Sequence, residues 1–85
     1  MKEYEEWYRA NPLRQWREGQ EPRVSRPALA HEMIVRGYSI TPATIQRWEC
    51  GEYAVPDAAM KLLAEITGMR DLRARWEKWQ GGRAR

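Results

Sequence analysis

One device occurs twice in this chain and does most to limit what it can fold into. It is an apolar residue, a hydroxyl residue, a proline within the next two positions and a second apolar residue closing the turn. It reads Val24-Ser25-Arg26-Pro27-Ala28-Leu29 and again Ile40-Thr41-Pro42-Ala43-Thr44-Ile45. The hydroxyl accepts a hydrogen bond from a first-turn N–H that would otherwise lack a partner. Proline fits at the start of a helix because its missing N–H is not needed there. The two apolar residues clasp across the cap and fix the angle at which the chain enters. At about 1 kcal/mol per cap, two successive helices are expected to start at Ser25 and Thr41. Leu29, Ala30, Met33 and Ile34 form the inward stripe of the first, which ends at Gly37. Ile45 and Trp48 share one face of the second, which ends at Gly51. Both glycines suit the left-handed conformation that closes a helix.

The remaining elements are also helical. Tyr4, Trp7 and Tyr8 fall three and four apart on a short N-terminal helix that stops before Asn11-Pro12. Asn11 caps a helix with Pro12 first and Leu13, Trp16 and Arg17 facing inward, and "EGQEPR" ends it. Asp57 is expected to cap a further helix carrying Met60, Leu63, Ala64 and Ile66. A last helix from about Asp71 carries Leu72, Trp76 and Trp79. No stretch alternates like a strand, so the class is all-α, with five to six helices around one core. The expected organisation is a helical extension over residues 1–10, a domain over 11–69, a C-terminal helix over 70–80 and a flexible basic tail over 81–85.

Composition removes several function classes. Cys50 is the only cysteine and His31 the only histidine of 85 residues. An intrachain disulfide is therefore excluded, and a Cys/His metal site would lack ligands. Cys50 reads as inert and His31 as a surface residue. No base, nucleophile and orienting group recur at usable positions, so neither an enzyme nor a cofactor is expected. No apolar run approaches a membrane span, and "MKEYEEWYRA" lacks the regions of a secretory signal, which leads to an expected cytoplasmic location. The net charge of +3 is uneven: −1 over residues 1–10, +1 over 11–56 and +3 over 57–85. Such a balance permits nucleic-acid binding without demanding it.

In order, "NPLRQWRE", "VSRPALA", "ITPATIQRWECG" and "VPDAAMKLLAEITGM" resemble the lambda-repressor-like, Cro-type (XRE family) helix-turn-helix domain over residues 11 to 69. The resemblance implies that Arg26 meets a phosphate and that Thr41, Pro42, Ala43, Thr44, Gln46 and Arg47 face the major groove of double-stranded DNA. Helix arithmetic agrees: with Ile45, Trp48 and Glu49 inward, Pro42, Ala43, Gln46 and Arg47 lie opposite. Arg47 can donate two bonds to a guanine edge, and Gln46 can pair with adenine. Pro42 and Ala43 can only touch a thymine methyl or fill space, so specificity rests on few residues or on DNA shape. Arg23 and Tyr53 are further candidates for the DNA backbone. The family's ion pair between these helices maps to Arg17 and Glu49. Fourteen residues separate Ala30 from Ile45, more than the family's usual spacing, which reads as one extra helical turn plus the longer turn "GYSIT".

The resemblance thus implies a small prokaryotic or phage transcriptional regulator, a repressor or a DNA-binding antitoxin, acting on an inverted-repeat operator. Trp16 and Trp48 read as core residues. Leu72, Trp76 and Trp79 either close the core or form a patch that pairs with a second subunit. A homodimer through this last helix is favoured, with Tyr4, Trp7 and Tyr8 as a competing surface. The alternative function is a protein-interaction module on the same scaffold that binds a component of the transcription machinery.

Overall fold

The reading of both repeated starts as capped helices can be followed atom by atom in a computed structural model of the chain, which describes residues 2–83, with side chains over 5–82. Six α-helices make up the described residues: α1 (Lys2–Arg9), α2 (Pro12–Gly19), α3 (Arg26–Val35), α4 (Pro42–Glu49), α5 (Asp57–Thr67) and α6 (Leu72–Arg83). Three of them begin at caps of the expected kind. Asn11 Oδ1 accepts from the N–H of Arg14 at 2.9 Å, Ser25 Oγ from that of Ala28 at 3.2 Å and Thr41 Oγ1 from that of Thr44 at 3.3 Å. Gly37 and Gly51 close α3 and α4 at φ +96° and +76°, which a side chain would make costly.

Asp57 does not cap α5. It is the first helical residue, after Pro56, and its Oδ1 accepts from Arg73 Nη2 of α6 at 2.9 Å. A carboxylate there still meets the positive end of the helix dipole.

The core draws on five helices: Leu13 of α2, Leu29, Ala30 and Met33 of α3, Ile45 and Trp48 of α4, Ala59, Met60 and Leu63 of α5, and Leu72, Trp76 and Trp79 of α6. α3 packs on α4 and α5, and α6 packs on α1, α2 and α5. The radius of gyration of 12.4 Å matches the roughly 12 Å expected of a compact chain this long.

Four expectations are corrected here. Ile34 is 50% exposed, because it sits at the edge of the α3 face defined by Leu29, Ala30 and Met33. Trp16 is only half-buried, outside the core, in a cleft with Met69 and Lys78. α6 continues through Gly81 and Gly82 to Arg83, where a tail was expected; residues 84 and 85 lie outside the described residues. Leu72, Trp76 and Trp79 are 0%, 2% and 6% exposed, so they are core residues rather than a patch awaiting a second subunit.

The cover over α6 comes from α1. Trp7 and Trp79 stack with ring centroids 4.1 Å apart and 7° between planes. Each indole N–H donates to the other residue's backbone carbonyl at 2.6 Å. Trp76 meets Trp79 edge-on at 5.5 Å, a favourable geometry for aromatic rings. The side chain of Tyr4, expected on the same stripe, lies outside those described. No helix among the described residues is long and apolar enough to cross a membrane.

Candidate nucleic-acid interface

α4 has two unlike faces. Ile45, Trp48 and Glu49 are buried, whereas Thr41, Pro42, Ala43, Gln46 and Arg47 are exposed and Thr44 is half-buried. The division follows from 3.6 residues per turn: once 45, 48 and 49 face the core, the others have to face solvent. The six groove-facing candidates are therefore gathered on one accessible surface around the N-terminal turn of α4.

The loop after α4 folds back onto this surface. Beyond Gly51, the backbone N–H groups of Glu52 and Tyr53 both donate to the carbonyl of Arg47, at 2.8 and 3.3 Å. This puts the Tyr53 ring under the Arg47 guanidinium, 5.4 Å from centroid to carbon. A cation over an aromatic face is stabilised by the ring quadrupole, so Arg47 is braced while its donors stay available. Arg47 forms no ion pair among the described residues. Ala43, Gln46, Arg47, Cys50 and Glu52 line a shallow hollow beside it.

Beneath the surface lies an ionic cluster. Glu49 is 0% exposed and Arg17 5%. Arg17 grips the carboxylate as a fork, Nε to Oε2 and Nη2 to Oε1, both at 2.7 Å, and its Nη1 donates to the carbonyl of Val24 at 3.1 Å. The pair implied for Arg17 and Glu49 is thus formed, in the bidentate geometry arginine favours. It ties α2 and the chain entering α3 to the inner side of α4.

Arg26, the expected phosphate contact, joins this cluster with 27% of its side chain still exposed. Its Nε and Nη2 donate to Glu49 Oε1 at 3.1 and 3.0 Å, and Nη2 also donates to the Tyr8 hydroxyl of α1 at 3.0 Å. Burial disfavours its charge, but the Glu49 carboxylate outweighs this through charge and hydrogen bonding, with help from Tyr8, and raises its pKa. Tyr8 in turn carries Arg14 over its ring, 4.3 Å from the centroid. A sequence signal for this placement exists: Arg26 precedes Leu29, Ala30 and Met33 by three, four and seven residues, the spacing of one helix face.

Arg23, a further candidate for the DNA backbone, is exposed. Its side chain is 67% exposed and pairs with Glu18 at 3.7 Å. Burial disfavours the ionised Glu18 carboxyl, yet hydrogen bonding and charge from Arg14, with the charges of Arg23 and Arg17, together hold it below its ordinary value.

No family model, no curated protein and no solved structure matches this chain. The outer surface of α4 offers one braced guanidinium, one amide, two hydroxyls and a small apolar step at Pro42-Ala43. No group of three or more His, Cys, Asp or Glu able to hold a metal ion occurs among the described residues.

Proposed function

We propose that the protein binds double-stranded DNA in a sequence-dependent way and acts as a small transcriptional regulator, most simply by occluding a promoter. In this reading α3 and α4 are the two helices of a lambda-repressor-like helix-turn-helix, and α4 enters the major groove with its N-terminal turn first. The observation that carries the reading is the outward face of α4, where Gln46 and Arg47, two side chains suited to reading adenine and guanine, stand beside exposed Pro42 and Ala43. Arg47 held over Tyr53 supports it, because a pre-oriented guanidinium gives up less freedom on binding. Arg23 supplies a backbone contact, and Arg26 acts by holding α3 against α4.

One observation favours the second reading, a protein-binding module on the same scaffold. With Arg26 turned inward onto Glu49 and Glu52 lining the same hollow as Arg47, the outer face carries little net positive charge. Selection from a random duplex library separates the two. An enriched motif with an inverted repeat supports an operator-binding regulator, and retention of no sequence above background supports the protein-binding module.

A further inference from the structure

Trp16 is the aromatic residue of α2, and it does not join the core. Leu13 and Arg17 take the buried face of that helix, which leaves Trp16 half-buried at its edge. There it lines a cleft of about 360 Å³ to which α2 and α6 both contribute. Ala10, Pro12 and Met69, the last in the turn before α6, supply the rest of the apolar lining. The volume falls at the lower end of the range for small-molecule sites, roughly 300–1,000 Å³.

The charged part of the lining has one sign. Arg75 and Lys78, three apart and so neighbours on the surface of α6, both line the cleft, and no carboxylate does. Arg75 is anchored: its Nε donates to Asp71 Oδ2 at 3.0 Å and its Nη1 to Met69 Sδ at 3.6 Å, and neither bond uses Nη2. Lys78 is exposed and forms no ion pair among the described residues. An indole beside a thioether favours a flat aromatic ring. Two cations in a lining without a carboxylate favour an anion attached to that ring.

We infer that this cleft binds a small aromatic carboxylate, with the ring against Trp16 and Met69 and the carboxylate on Lys78 and Nη2 of Arg75. No residue lines both the cleft and the outer face of α4. Occupancy therefore leaves the proposed DNA surface open, and the inference is independent of DNA binding. An acidic protein segment would meet the same charge, but a cleft of this size takes in one ring and not a run of side chains.

Titration of the full chain with indole-3-acetate, followed through the indole N–H signals by nuclear magnetic resonance, tests this. The Trp16 signal, identified by its loss in Trp16→Phe, should shift saturably with a dissociation constant of about 1 mM or lower, as expected of a ligand this small. The signals of Trp48 and Trp76, which do not line the cleft, should stay in place. Lys78→Gln should weaken indole-3-acetate about two- to fivefold, the range for a solvent-exposed ion pair, and leave the binding of neutral indole unaltered. Trp16→Ala should weaken both at least about tenfold, with helical circular dichroism unchanged because Trp16 lies outside the core. No saturable shift at Trp16, equal affinity for indole and indole-3-acetate, or an affinity indifferent to Lys78→Gln would overturn the proposal. So would a Trp16 signal that ignores indole-3-acetate and responds to an acidic peptide, which would assign the cleft to protein docking.

Discussion

Arg17 holds both carboxylate oxygens of Glu49 at 2.7 Å from the inner side of the helix whose outer side carries Arg47. The acidic residue that looks out of place in a helix with Arg47 on its outer face is thus an internal brace for that helix. Removing one partner of a buried pair leaves an uncompensated charge, at about 3–5 kcal/mol, and here it would leave two arginines. Glu49→Ala is expected to lose a stability of this order in urea unfolding, a large share of the roughly 5–15 kcal/mol that a small domain has. Glu49→Gln should lose less, because it keeps the shape and one acceptor.

The reciprocal Trp7–Trp79 contact joins the two ends of the described fold. Trp79→Ala should cost about 3–5 kcal/mol, the range for a large aromatic removed from a core. Trp7→Phe keeps a ring over Trp79 but loses one N–H donor, and should cost about 0.5–1.5 kcal/mol for the hydrogen bond. Thermal unfolding of the two variants tests the ranking. Equal losses would mean that the hydrogen bond matters as much as the packing.

Acid should weaken the fold partly through Glu18. Its carboxyl pKa is lowered in the folded chain, so the folded state binds fewer protons than the unfolded one in this range. The contribution is then present above the ordinary carboxylate value and disappears as pH falls through the lowered one. Glu18→Gln is expected to flatten the acid side of the stability profile; an unaltered profile would show that the Arg14 contact has no energetic role.

Much of the fold was legible because its signals are local. The caps at Asn11, Ser25 and Thr41 depend on atoms within one turn, and the outward face of α4 follows from the period of the helix. What escaped depended on partners distant in sequence. Asp57 looks like a cap until Arg73 supplies a partner and Pro56 takes the cap position. Trp76 and Trp79 reveal by their spacing that they share a face, but not that Trp7, 72 residues from Trp79, covers it. Arg26 looks like a free first-turn cation, and its inward spacing gains meaning only with Glu49 and Tyr8 in place. In the candidate site, the side chains of α4 were legible, whereas the Tyr53 brace needed the return of the loop at Gly51.

Duplex affinity in a salt series, for the wild type and Arg47→Ala on the same selected sequence, tests DNA reading by α4 most directly. For the wild type, the logarithm of the affinity should fall linearly with the logarithm of salt, at about −0.9 for each phosphate neutralised. Arg47→Ala should lose about 1–3 kcal/mol and tolerate changes at one base pair. Undiminished sequence-specific binding by the variant, or no salt-dependent duplex binding by the wild type, would contradict it.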